Sequence, residues 1–358
     1  MNQHTGTFHR LPRAEAGYTL IELMISIVIG LFLIGGLVTL LVTNSINSAE
    51  LNKTGAQIEN GRYAMQLLVE DTQHAGYLGT YSPPITTNYS APDPCTTAVS
   101  GLGFTAASIP NLPVPIYGYD GAAASPSCVA NRKAGTDILV VRRTSTTPIA
   151  VASAVANEVY FQVLNCSVPA GLPDFIINTN SSSPFILPKN DCATTESIQK
   201  YMVHIYFVSS CNVCSGGSAD TIPTLKMAEF VAGAFVITPL VEGIDNLQIE
   251  HGLDTNNDGA PDCYTSNPNA ASAAEYAACP SAGYDITSGA NIVRNWSNVV
   301  ATRIHILARN VDATAGWVDN RTYDLGPGVT ITPNDAYKRH VYSATARLFN
   351  PSGQRETP

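Results

Sequence analysis

The chain has 358 residues, 45% of them hydrophobic and 13% charged, so it is long enough for one large domain or two modest ones with a proper core. A formal net charge of -9 excludes a broad basic surface that grips phosphates by counterion release, so direct nucleic acid binding is not expected. Only local basic pairs such as Arg142-Arg143 remain to be considered for that role.

In chain order, Arg10 and Arg13 precede an uninterrupted uncharged run from Leu23 to Val42, LMISIVIGLFLIGGLVTLLV. About 20 such residues are what a helix needs to cross the hydrocarbon core of a bilayer, so this run reads as a membrane span. After Arg13 the next Lys or Arg is Lys53, and the positive-inside rule then keeps the short N-terminus in the cytoplasm and exports the rest. A secretory signal would have a shorter apolar core and a small-residue cleavage site after it. Here the small residues, Ala16 and Gly17, stand before the run.

The junction Arg13-Ala14-Glu15-Ala16-Gly17-Tyr18-Thr19-Leu20-Ile21-Glu22-Leu23 resembles the class III leader of type IV prepilins, a Gly followed by an aromatic and one acid at fixed spacing. The resemblance implies that prepilin peptidase cuts between Gly17 and Tyr18 and methylates the new amine of Tyr18. Tyr18 stands where most members have Phe and keeps the aromatic character. Glu22 is the residue with the clearest physical demand, because an acid in a membrane helix costs about 2.5–3.5 kcal/mol at the centre and less near the end. Cleavage creates its expected partner, the charged amine of Tyr18 one helical turn away, or that of an adjacent subunit in a filament. The resemblance gives this pairing the role of setting register in assembly. The plainer reading is a carboxylate that snorkels to the headgroups and is helped by the helix dipole.

Beyond the span, Ile46, Leu51, Ile58, Met65 and Leu68 keep a mostly helical spacing, predicting one helix from Tyr18 through Ala75 whose C-terminal half packs on a head and whose first half projects as an assembly stalk. Gly30, Gly35 and Gly36 suit close helix packing or local melting. No Pro interrupts the span near Thr39, where principal pilins often carry one.

After Gly76 short β-branched and aromatic runs alternate with Gly, Pro, Ser, Thr and Asn. Strands are expected at 137–143, 158–164, 201–209, 225–230, 235–240, 246–252, 299–308 and 340–349. Polar insertions at 81–134 and 254–290 separate them. Eight cysteines, Cys95, Cys128, Cys166, Cys192, Cys211, Cys214, Cys263 and Cys279, lie in the exported part, where an oxidising compartment favours disulfides. Spacing does not fix their connectivity; four sequential bridges, each closing a polar loop, are the simplest arrangement.

Three passages resemble the PilW family of type IV pilus assembly proteins: GRYAMQLLVEDTQHAGYLG (61–79), LVEGIDNLQIEHGLDTNNDGAPD (240–262) and RHVYSATARLFN (339–350). The resemblance implies an α+β, type IV pilin-like fold, with the long helix packed on a large antiparallel β-sheet head and disulfide-closed loops. It divides the chain into a leader (1–17), a transmembrane and assembly helix (18–76) and an exported head (77–358). It implies a minor pilin in the inner membrane with a periplasmic head, carried to the cell surface in the pilus. Its expected partners are prepilin peptidase, other minor pilins and the major pilin, and its role is to prime assembly, supporting twitching motility, adhesion or DNA uptake indirectly. Two alternatives use the same features: a minor pseudopilin of a type II secretion system, and a pilus-tip adhesin binding through its Ser/Thr/Asn-rich insertions.

One constellation suits a cation. Asp254, Asn256, Asp258, Ala260 and Asp262 follow the opening positions of an EF-hand-like loop, with Gly259 at the sharp turn, and Ca2+ is the candidate ligand. Ala260 would offer its carbonyl. Thr265 stands in place of the closing Glu, so another acid, Glu250 or Asp245, would have to complete the set. The alternative is an Asx-rich turn. Cys211-Asn212-Val213-Cys214 reads as a strand-end loop with a local disulfide, because Gly and Ser follow where a redox motif would open a helix. The histidines His4, His9, His74, His204, His251, His305 and His340 are scattered, which suits core or surface roles. No nucleophile elbow, Walker loop or H-E-x-x-H is present, so no enzymatic activity is expected.

Overall fold

The structure, a computed structural model, describes residues 17–167, 171–179, 184–279, 283–326 and 328–356. It divides into two compact units, Met1–Asn52 and Lys53–Pro358. Helix α1 (Leu20–Gln73) begins in the first and ends in the second. In the first unit every large apolar side chain from Leu20 to Leu51 is exposed, and the helix is long and apolar enough to cross a membrane. No charge or proline interrupts Leu23 to Val42, so nothing in that stretch breaks the helical ladder. The helix ends just before Gly76, whose φ of 75° admits the left-handed turn that a Cβ would disfavour.

The second unit holds two main sheets. The larger is built from β3 (Ile116–Tyr119), β4 (Ile138–Thr144), β5 (Val159–Val163), β6 (Phe175–Thr179), β7 (Gln199–Ser209), β8 (Thr224–Val231) and β9 (Ala234–Glu242), all pairing antiparallel. Strand β7 is its axis. It pairs with β4 along one edge, and along the other with β5 at Gln199 and Lys200 and then with β8 from His204 onward. The second sheet runs β11 (Cys263–Thr265), β10 (Ile244–Leu253), β12 (Val299–Arg309) and β15 (Arg339–Arg347). Two small pairs complete the strands: β1 (Asn88–Ser90) with β2 (Asn111–Pro113), and β13 (Tyr323–Asp324) with β14 (Thr330–Ile331). Short helices α2 (Ala273–Ala277), α3 (Ile292–Ser297) and α4 (Phe349–Gly353) lie between or after them.

Period-two alternation sorts the larger sheet into two cores. Leu139 and Val141 of β4, with Tyr206 and Val208 of β7, share a core with Ala64, Met65 and Leu68 of α1 and with Leu247, Ile304 and Ile306 of the second sheet. Ile138 and Val140, with Val203, Ile205 and Phe207, face the opposite way and are covered by Leu102 and Val129 of the long insertion. Each fully buried side chain of this kind contributes about 1.5–3 kcal/mol relative to its exposed state.

Four disulfides clamp the polar loops: Cys95–Cys128, Cys166–Cys192, Cys211–Cys214 and Cys263–Cys279, with Cα separations of 5.5, 5.2, 5.2 and 5.0 Å. These are the four sequential bridges that the loop composition suggests. Cys211–Cys214 closes a loop directly after β7, and the next element is strand β8. The same alternation corrects one expectation. Arg142 and Arg143, considered above as a basic surface pair, point to opposite faces of β4: Arg142 is 3% exposed, and Arg143 is bound to Asp71. They form no joint patch for a phosphate backbone.

Candidate functional site

At the N-terminal end of α1, Glu22 sits inside a reciprocal cap. Its carboxylate accepts from the backbone N–H and the hydroxyl of Thr19, both at 2.9 Å, while the Glu22 N–H donates to the Thr19 hydroxyl at 3.3 Å. This is a capping box, and its signal, Thr19-x-x-Glu22, was present in the sequence. In the uncut chain the nitrogen of Tyr18 is an amide, so Thr19 takes the place that the freed amine is expected to fill. Tyr18 itself is 90% exposed. Residues 1–16 of the leader lie outside the described residues, so the junction is described from Gly17 onward.

Along the apolar run the hydroxyls are satisfied within the helix. Ser26 donates to the Glu22 carbonyl at 2.7 Å, Thr39 to Gly35 at 2.9 Å and Thr43 to Thr39 at 2.8 Å. These back-bonds leave the surface free of unmet polar groups. Around Gly30, Gly35 and Gly36 a Cβ would meet nothing within 4 Å, so any packing role for them must come from another molecule.

The head-packed end of the helix is built differently. Asp71 is buried, and its carboxylate joins three side chains from the large sheet: Arg143 at 2.6 Å, His204 Nδ1 at 2.7 Å and the Tyr206 hydroxyl at 2.9 Å. Burial alone raises this carboxyl; the hydrogen bond and charge of His204, and then Arg143, outweigh it and hold the group at about 2. Gln57 donates to the Ala308 carbonyl at 2.9 Å, and Asn60 to the Glu242 carbonyl at 3.2 Å. Gly61 lets the helix approach β15, since a Cβ there would fall 2.2 Å from the Tyr342 ring. An open groove of about 440 Å³ runs beside this latch, lined by Tyr63, Glu70, His74 and Met227 among others.

Two further titratable groups lie buried behind the sheets. The Asp137 carboxyl is pushed up to about 7, chiefly by burial, although the Ile249 N–H donates to it at 2.8 Å. His251, fully enclosed beside Trp296, is pushed down to about 3 by burial. Together with His204 on Asp71 and His305 on Glu250, it has a structural place in the sheets.

The acidic loop after β10 folds around its own side chains. Asp254 accepts from the N–H groups of Asn257, Asp258 and Gly259, at 2.6, 3.3 and 3.0 Å, and also faces Arg355 at 3.3 Å. Asp262 accepts from Thr255 and Asn256, and Asp258 from the Ala260 N–H. The two acids expected as closing ligands are engaged elsewhere. Asp245, at the far end of β10, holds Lys133 and Arg339, and Glu250 holds His305 and Arg303. Among the described residues no group of three or more His, Cys, Asp or Glu is gathered as a metal site.

Comparison with known families gives two matches. Residues 205–350, about two fifths of the chain, match the family described as Type IV Pilus-assembly protein W, and residues 12–38 match the prokaryotic N-terminal methylation motif. The first runs from the middle of β7 to just past the end of β15, and the second contains Gly17, Tyr18 and Glu22. No curated protein and no solved structure matches the chain.

Proposed function

We propose that this chain, a type IV pilus-related minor pilin anchored by its N-terminal apolar helix, primes pilus assembly and is incorporated into the pilus. One observation carries the reading: a prepilin-type methylation motif and a pilus-assembly head occur on the same chain. Prepilin peptidase cuts after Gly17 and methylates Tyr18. The cut frees an amine one turn from Glu22, and a charged amine is a stronger partner for a carboxylate than the neutral Thr19 cap. Glu22 then exchanges an internal cap for an ionic contact, either with its own amine or with that of the next subunit. The head lies in the periplasm before assembly and at the cell surface after it, in contact with other minor pilins and the major pilin.

Calcium bound by the oxygens of Asp254, Asn256, Asp258, Ala260 and Asp262 is a secondary part of the proposal, supported by their spacing around Gly259. The main reading is tested in the cell. Gly17→Val should leave the leader attached, seen as an unshifted mass, and Glu22→Ala should allow cleavage yet block surface piliation. Normal piliation in both variants would overturn the reading. Loss of exoprotein release with normal piliation on deletion would reassign the chain to a type II secretion system.

A further inference from the structure

The adjacent arginines of β4 have different fates. Arg143 meets Asp71 on the helix side. Arg142, on the other face, is 3% exposed and has no carboxylate within 4 Å among the described residues; its guanidinium donates only to the carbonyls of Val114 at 3.2 Å and Pro92 at 2.9 Å. A guanidinium has five N–H donors and a charge that a dry interior strongly disfavours without a counterion.

Arg142 lines a small cavity of about 40 Å³, with Tyr89, Phe104 and Pro351 among its walls. Tyr201 lines the same cavity; it is 4% exposed, and its hydroxyl is buried without a hydrogen-bond partner among the described residues. The pairings Arg142↔Val203 and Thr144↔Tyr201 make Arg142 and Tyr201 diagonal neighbours on one face, within reach of two long side chains. Arg355 adds a second positive charge to the lining, but it is already bound to Asp254, Ser297 and Asn298.

We propose that this cavity binds a small monovalent carboxylate, held by the Arg142 guanidinium and the Tyr201 hydroxyl. The volume is enough for about three waters or a few non-hydrogen atoms. One guanidinium balances one negative charge, so a divalent phosphate would exceed the charge that Arg142 alone supplies. The aromatic and proline walls suit the methyl or ethyl group attached to a carboxylate carbon. The ligand class is therefore acetate-like or propionate-like, and the neutral amides of the same shape lack the charge.

The test uses the full chain in detergent at constant ionic strength, with sodium acetate and sodium propionate as probes and acetamide and propionamide as controls. Calorimetry should show saturable carboxylate binding with no counterpart for the amides or for inorganic phosphate. Tyr201→Phe should weaken it about tenfold, the scale of one hydrogen bond to a charged group. Arg142→Met should remove it. No saturable carboxylate heat in the native chain would overturn the proposal, as would equal affinity in the native chain and Tyr201→Phe. That second comparison decides the matter even if Arg142→Met does not fold.

Discussion

The two ends of helix α1 solve opposite problems. From Thr19 to Thr43 the side-chain bonds of Thr19, Glu22, Ser26, Thr39 and Thr43 all close within the helix, so the surface it offers is apolar and self-sufficient. From Gln57 to Asp71 the side chains reach across to strands far away in sequence, through Gln57, Asn60 and the buried Asp71. The first pattern suits a surface that changes neighbours, since leaving one environment breaks no hydrogen bond. The second fixes the helix to one head, since an Asp71 withdrawn from its partners leaves buried charge and hydroxyl unmet. The proposed assembly role asks the helix to change neighbours at one end and stay fixed at the other, and the two patterns supply this on one continuous backbone.

The largest expected effect is at the self-sufficient end and concerns assembly alone. Glu22→Ala is expected to abolish surface piliation while the melting temperature of the purified chain stays unchanged, because among the described residues the Glu22 side chain hydrogen-bonds to Thr19 alone. A fall in head stability in that variant would erase the distinction between the two ends. At the other end, Asp71→Ala is expected to cost about 3 kcal/mol or more, because it strands Arg143, His204 and Tyr206 together. Denaturant unfolding of the full chain measures it, and a loss under about 1 kcal/mol would mean that the latch is a surface-type ion pair. Gly61→Val tests the same seam by volume. The added Cβ and methyls meet the Tyr342 ring, with an expected loss of about 1–3 kcal/mol.

The same contrast explains how far the fold is legible in the sequence. All eight strands expected from β-branched runs are present with their ends close to the expected positions, because alternation is a local signal. Ile116–Tyr119 and Phe175–Thr179 were not expected: the first follows Pro113 and Pro115 inside a polar insertion, and the second lies between Pro173 and a run of Asn and Ser. The helix and its span were legible for the same local reason. The Asp71 cluster was not, since His204 lies 133 residues away and nothing near Asp71 announces a partner. The separate fates of Arg142 and Arg143 were within reach of the sequence, because neighbours in a strand must point to opposite faces. Thr19-x-x-Glu22 was equally visible, but the membrane cost of Glu22 points to the amine and past the cap.

Acid and neutral pH should separate two buried carboxyls of the head. Asp71 titrates near 2 when folded and 3.8 when free, so the unfolded chain binds its proton more readily; the stability it contributes is present above 3.8 and lost as pH falls towards 2. Asp137 has the opposite sign. Its folded value of about 7 lies above 3.8, so the folded chain holds more protons in between and this residue lowers stability as pH rises through that window. Asp120 and Arg132 supply the nearby charges, and His251, lowered to about 3, contributes a slope of the reverse sign over part of the range. Asp137→Asn is therefore expected to gain stability relative to the native chain between pH 4 and pH 7, read from unfolding at stepped pH. A difference independent of pH would remove Asp137 from the account.

The smallest expected effect belongs to the acidic loop, where the pattern of the N-terminal end of α1 recurs: side chains satisfied by groups close by in the chain. Asp254 and Asp262 already accept the loop's N–H groups, which preorganises their oxygens but also makes the turn stable without a cation. Arg355 stands 3.3 Å from Asp254 Oδ2 and opposes any second positive charge there. Calcium is thus expected to raise the melting temperature of the native chain only slightly, and more in Arg355→Gln, where the competing charge is gone. Asp258→Ala should cancel the response in both backgrounds. A chain whose melting is unmoved by calcium or chelator, with Arg355 present or replaced, carries an Asx-rich turn at 254–262 and no cation site.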